Sequence, residues 1–155
     1  MESRLKEDQM NDCVIFDIDG TLADCEHRRV HLTGGKKNWA AFNAAMGDDT
    51  PNVPVVRLAR MFAASKMPIM LCTGREEDTR RLTETWLGLH EVPFTRLYMR
   101  APKDYRADDV VNGEMLADIR RCGWQPWLVV DDRASVTRMW RAAGLVCLQC
   151  AEGDF

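Results

Sequence analysis

Val14-Ile15-Phe16-Asp17-Ile18-Asp19-Gly20-Thr21 is the stretch whose reading decides the fold. Apolar residues run straight into two acids set two apart, and a glycine and a threonine follow. Val14, Ile15 and Phe16 are β-branched or aromatic and bounded by polar residues, which predicts a short buried strand. An acid closing such a strand must pair, bind a metal or do chemistry, because a bare buried charge is expensive. Side chains alternate along a strand, so Asp17 and Asp19 share one face if the chain stays extended, and Gly20 then lets it turn away. Two carboxylates converging at a strand's carboxyl end suit a hard cation such as Mg²⁺ and an acid–base pair. Taken alone, Asp-x-Asp reads equally well as an acidic turn, so the remaining chain has to decide.

Working outward, Trp39, Phe42, Ala45 and Met46 fall at helical spacing behind Asn38, a suitable N-cap. Pro54 opens a second helix to about Lys66, with Val55, Leu58, Ala59, Phe62 and Ala63 as its apolar stripe. Pro68 to Cys72 is a second buried strand ending in Thr73-Gly74-Arg75, and a helix from about Glu77 to Leu89 turns Leu82, Trp86 and Leu89 inward. Phe94 to Met99 reads as a weaker strand, and a helix from Asp108 or Asp109 reaches Arg121, with Gly123 helping to end it. Trp127 to Val130 is a strand ending in Asp131-Asp132-Arg133; Ser135 caps a helix facing inward through Val136, Met139, Trp140 and Ala143, and Leu145 to Leu148 is a last short strand. Buried strands alternating with amphipathic helices predict an α/β fold, a mainly parallel sheet flanked by helices. Ligands of such sheets sit beyond the carboxyl ends of the strands. Three of those ends carry Asp-x-Asp-Gly-Thr, Thr-Gly-Arg and Asp-Asp-Arg.

At 155 residues the chain reads as one domain, 1–155, able to bury roughly two-thirds of its unfolded surface. Hydrophobic residues at 46% and charged residues at 29% are ordinary for a soluble globular protein. The net charge of −3 excludes an overtly basic nucleic-acid binder but not a local patch. Met1 to Asp12 is polar and charged, unlike a signal peptide, and no apolar run approaches a membrane span. Six cysteines in that setting read as reduced thiols of a cytoplasmic protein. Cys147 and Cys150 have Cys-x-x-Cys spacing but no second pair, and Cys13, Cys72 and Cys147 sit in apolar runs as small core residues.

The three strand ends supply what phosphoryl transfer needs. A carboxylate can attack phosphorus and split one hard displacement into two easier ones. A divalent ion held by acids offsets repulsion between an anionic ester and an anionic nucleophile. A hydroxyl and backbone N–H groups, here at Thr73 and Gly74, can hold the remaining oxygens.

Asp17-Ile18-Asp19-Gly20-Thr21, Thr73-Gly74-Arg75 and Asp131-Asp132 resemble the first, second and fourth motifs of the haloacid dehalogenase (HAD) superfamily of phosphatases, whose fold is a Rossmann-like sheet with a cap insertion. The chain further resembles the 3′-phosphatase domain of phage polynucleotide kinase-phosphatase. Leu22-Ala23, Glu76, Asp108-Asp109-Val110-Val111, Arg133, Val136, Met139-Trp140-Arg141, Gly144 and Ala151-Glu152-Gly153-Asp154-Phe155 carry that closer resemblance. The resemblance implies Asp17 as nucleophile and Asp19 as general acid–base. Mg²⁺ would be held by Asp17, the Asp19 main-chain carbonyl and the Asp131-Asp132 pair. Thr73, Gly74 and Arg75 would line the phosphate site, with Arg100 and Arg133 as further basic groups. It also implies 3′ ends of nucleic acid or nucleoside 3′-phosphates as substrate, a phage or bacterial source, and a repair setting with a kinase or ligase acting on the same ends. One position departs. Where the superfamily places a cation, usually Lys, this sequence has Asn112, which lacks the charge; Lys103, or Arg106, could supply it from a few residues earlier.

Gly34-Gly35-Lys36-Lys37 lacks P-loop spacing, so no kinase half is expected. The insertion between the first two motifs, about 22–52, is a small cap, which leaves room for a bulky substrate. His27, Arg28, Arg29, His31, Lys36 and Lys37 form a candidate rim for a strand's backbone, or a solvated loop, and Trp39 and Phe42 either stack a base or pack the cap. Three other functions compete: a nucleotidase or small-molecule phosphatase, a domain weakened by Asn112 and kept to bind phosphate ends, and a receiver domain. The last has no use for an acid two residues past its acceptor, where hydrolysis would shorten the signal.

Overall fold

The computed structural model describes residues 11–153. Met1 to Met10, Asp154 and Phe155 lie outside the described residues, so the expected polar start and the last two positions of the tail resemblance are not placed. Five strands form a parallel sheet, β1 (Asp12–Phe16), β4 (Ile69–Glu76), β5 (Arg96–Arg100), β6 (Gln125–Arg133) and β7 (Val146–Gly153), in the order β5-β4-β1-β6-β7. β1 lies at the centre because it is apolar on both faces. Val14 and Phe16 pack on one side beneath α2 (Val53–Ala64) and α3 (Arg80–Leu89). Cys13 and Ile15 pack on the other beneath α4 (Asp108–Arg121) and α5 (Ala134–Ala142). Such two-sided cover is what a parallel sheet requires. Within the insertion, β2 (Ala23–Asp24) pairs antiparallel with β3 (Thr50–Pro51), and between them come a 3₁₀ turn over Glu26–Leu32, α1 (Trp39–Ala44) and a second 3₁₀ turn over Ala45–Asp48. Among the described residues no helix is long and apolar enough to cross a membrane.

Several expectations shift. The Asn38 side chain does cap α1, accepting from the Ala41 N–H at 3.0 Å. The strands ending in Thr-Gly-Arg and Asp-Asp-Arg run on through those motifs, to Glu76 and Arg133. The helix expected at Glu77 therefore starts at Arg80, after a short 3₁₀ turn. Its inward face is Thr83, Trp86 and Leu87, while Leu82 and Leu89 are exposed. Hydrogen bonds fix that phase, since Trp86 Nε1 donates to the Asp49 carbonyl and Thr83 Oγ1 accepts from Arg75. Ser135 caps nothing, because Arg133 holds the N-cap position of α5 and β6 feeds the helix directly. The last strand extends to Gly153 rather than stopping at Leu148.

Candidate active site

β1 ends at Phe16, and the chain turns at once: Gly20 has φ +85°, and a Cβ there would overlap the Asp132 carboxylate. The two acids consequently part company instead of sharing a strand face. Asp17 turns to the end of β6, where one oxygen each of Asp17, Asp131 and Asp132 lie within 4.8 Å of one another. Thr21 Oγ1 donates to Asp17 Oδ2 at 3.2 Å and reaches Asp132 Oδ1 at 3.4 Å. Asp131 is held from two sides, its Oδ2 accepting from Trp140 Nε1 at 3.0 Å and its Oδ1 from the Arg133 N–H at 3.0 Å.

Burial, and then the charges of Asp131, Asp132 and Asp19, push the Asp17 carboxyl well above the usual range. Burial raises Asp132 and lifts Asp131 to about 6, against the Trp140 hydrogen bond. Three acids this close together, two of them buried and the third partly so, are unfavourable, and a divalent cation is the group that would relieve them.

Asp19 lies in the opposite field. Arg75 grips it through Nη2 at 2.7 Å and Nε at 3.1 Å, and Arg28 Nη2 donates to it at 2.6 Å. Burial works against its charge, but these guanidinium groups outweigh it and hold Asp19 below the usual carboxylate range. Behind both arginines stands Asp49, buried at 2% exposure, which accepts from Arg28 Nε at 2.7 Å, Arg28 Nη2 at 2.6 Å and Arg75 Nη2 at 3.1 Å. His27 Nε2 meets Asp49 Oδ1 at 2.8 Å. Arg28 is accordingly not an exposed rim residue, having no exposed surface at all. Phe42 is not a surface for a base either: it is buried, with the Arg28 guanidinium 4.3 Å above its ring.

A third group closes the front of β4 and β5. Arg100 donates to the carbonyls of Gly74 at 3.2 Å and of Asp104 and Arg106 at 2.8 Å, and pairs with Asp108. Asp108 pairs with Arg133 through its other oxygen. Asn112 is buried in α4, and its Nδ2 donates to the Asp108 carbonyl at 2.9 Å. The amide that would meet a phosphate is thus engaged within its own helix. Arg106 is occupied with Asp104 and Glu114. Lys103 is exposed, and its N–H approaches Glu76 Oε2 at 3.3 Å, so its loop lies at the same end of the sheet as Thr73 and Gly74. Thr73 is buried, with Oγ1 accepting from the Arg75 N–H at 3.2 Å.

The strand ends thus gather Asp17, Asp19, Thr73, Gly74, Arg75, Arg100, Asp131, Asp132 and Arg133 as the motifs suggested. Sequence reasoning missed Asp49 and the pairing role of Asp108. Asp49 sits in Gly47-Asp48-Asp49-Thr50, where nothing local separates it from a solvated acid. Of the Cys147 and Cys150 pair the first is buried and the second exposed, all six cysteines are free, and the one cluster of three or more metal-ligating side chains among the described residues is the aspartate trio.

The family model of the polynucleotide kinase PNKP phosphatase domain matches residues 11–155. This chain belongs to that family. It is similar to a protein solved in the Pnkp1/Rnl/Hen1 complex, at 29% identity and a TM-score of 0.81, over 94% of this chain and 47% of that one. The chain therefore spans about half the length of that relative. A class C acid phosphatase from Bacillus anthracis shares the fold at 11% identity and a TM-score of 0.67, over 99% of this chain and 73% of that one. So does a haloacid dehalogenase-like hydrolase from Streptococcus pneumoniae, at 14% identity and a TM-score of 0.57, over 90% of this chain and 84% of that one. Residues 11–155 are an α/β phosphatase domain of the HAD type.

Proposed function

We propose that the protein is a Mg²⁺-dependent polynucleotide 3′-phosphatase acting through an aspartyl-phosphate on Asp17. The observation that carries this reading is the division of labour two residues apart. Asp17 joins the acidic trio, whereas Asp19 is clamped by two arginines. One carboxylate is placed for attack and the other for proton transfer.

The donor set fits the metal, being all oxygen and hard, with three carboxylates within 4.8 Å of one another. Asp17, Asp131 and Asp132, with the Asp19 carbonyl, would hold Mg²⁺, which would neutralise charge on the phosphate and on the attacking carboxylate. An Asp17 oxygen attacks phosphorus, the bond from phosphorus to the sugar oxygen breaks, and Asp19 passes a proton to that oxygen. Asp19 then takes a proton from water, the water oxygen attacks the phosphorus of the aspartyl-phosphate, and Asp17 leaves as a carboxylate. The arginine clamp suits the second step, because it keeps Asp19 ionised and ready to accept. In the first step the negative charge of the entering phosphate raises Asp19 again.

Thr73, Gly74, Arg100 and Arg133 are the groups for the remaining phosphate oxygens, with Arg75 serving to position Asp19. Arg133 is better placed than Asn112 or Lys103 to supply the cation that position 112 lacks. It is half-buried beside the acids, and the Asp17 and Asp19 charges work on it against burial. The solved relative belongs to an RNA repair complex, which favours strand ends as substrates and a kinase or ligase as partner in the same pathway.

The test is phosphate release from matched oligonucleotides ending in 3′- or 5′-phosphate, alongside nucleoside 3′-monophosphates, with Mg²⁺ and with chelator. Metal-dependent release from the 3′ end alone is expected. Turnover of mononucleotides only would make the protein a nucleotidase. Tight binding of 3′-phosphorylated ends without turnover would make it an end-binding module, the reading that Asn112 favours.

A further inference from the structure

We propose that Trp39 is a stacking platform for a base of the substrate strand upstream of the phosphate, with Lys36 and Lys37 on that strand's backbone. This inference rests on the phosphatase reading above and names how the same site would grip a polymer rather than a mononucleotide.

The indole of Trp39 is 52% exposed, unlike those of Trp86 and Trp140, which are buried with their N–H groups bonded to Asp49 and Asp131. It is nonetheless fixed. Trp39 opens α1 directly behind the Asn38 cap, and its ring meets Phe42 edge-on with centroids 5.8 Å apart. Phe42 carries the Arg28 guanidinium at 4.3 Å, and Arg28 holds Asp19 at 2.6 Å. A continuous ladder therefore runs from Asp19 through Arg28 and Phe42 to an exposed aromatic surface.

Its starting point matters. Asp19 is the group that gives a proton to the leaving oxygen, and that oxygen belongs to the strand. The ladder begins at that acid, so Trp39 stands three side-chain contacts from the point where the strand leaves.

The charge is of the right sign. Lys37 Nζ lies over the Trp39 ring, 5.7 Å from its centroid, so a base that stacks on that face displaces the ammonium, which can then turn to a phosphate of the strand. An exposed aromatic beside lysines is the usual means of holding single strands without reading their sequence.

The experiment compares wild type, Trp39→Ala and Trp39→Phe on p-nitrophenyl phosphate, a nucleoside 3′-monophosphate and 3′-phosphorylated oligonucleotides of two to six nucleotides. Trp39→Ala should raise KM about tenfold on the longer oligonucleotides while leaving p-nitrophenyl phosphate and the mononucleotide unchanged. Trp39→Phe should recover most of the loss. Affinity for a labelled 3′-phosphorylated hexanucleotide, measured with chelator present so that nothing turns over, should weaken in parallel. Equal loss on every substrate, or an unchanged KM and affinity at all lengths, would overturn the platform. Wild type that hydrolyses p-nitrophenyl phosphate but no 3′-phosphorylated oligonucleotide would sink the 3′-phosphatase reading instead. The hexanucleotide affinities would still decide the role of Trp39.

Discussion

Asn112 and Arg133 pose the question of where the active site finds its positive charge. Asn112 spends its amide on the Asp108 carbonyl, so Asn112→Ala should cost only about 1 kcal/mol of stability and leave turnover near wild type. Arg133→Gln should leave the melting temperature almost unchanged and lower kcat on the order of 10²-fold, as loss of one charged phosphate donor does. Steady-state kinetics beside thermal melts on both variants decide between them; the reverse pattern would return the role to position 112. The sequence marks both residues, one by departing from the expected lysine and the other by following two acids. It cannot show that a helix carbonyl has claimed the amide, because that competition is settled by the distance between Asn112 and the first turn of α4.

The strands and helices were legible because each is an apolar period between breakers. The site motifs were legible because short runs of acids end those strands. The insertion was not. Arg28 and Asp49 are twenty-one positions apart, and only the folding of the two 3₁₀ turns and α1 onto β4 puts them against Arg75 and Asp19. A residue that looks like a solvated rim charge thus becomes the fully buried member of an Arg–Asp quartet. Removing one partner of such a pair strands the others in low dielectric. Arg28→Ala should therefore cost about 3–5 kcal/mol in a denaturant titration, and Arg28→Lys, which cannot bridge both aspartates as a planar fork does, should recover only part of it. The inward face of α3 differs from the apolar spacing at Leu82 and Leu89 for the same reason, since Thr83 and Trp86 bond Arg75 and Asp49 while Trp86 and Leu87 join the core.

Across the whole molecule, the two acid groups pull stability in opposite directions with pH. Asp131, raised to about 6, and Asp17, also raised, bind protons more readily folded than unfolded. The metal-free protein should thus lose stability as pH rises from about 4 through about 6. Asp19, held low, contributes stability that is present above about 4 and lost as acid protonates it. Mg²⁺ bound as proposed would compete with the protons of the trio, so it should raise the melting temperature more at pH 7.5 than at pH 5. Melting curves at both pH values, with Mg²⁺ and with chelator, check this, and an Mg²⁺ shift that is equal at the two would contradict it. Finally, Asp132 lies with Gly20 hard against its carboxylate and Gly153 hard against its carbonyl, where a Cβ on Gly153 would come within 2.5 Å of the carbonyl oxygen. The first turn after β1 and the far end of β7 therefore meet at one residue, and each approach leaves room for glycine alone, so Gly153→Ala has to displace the Asp132 main chain next to the acidic trio.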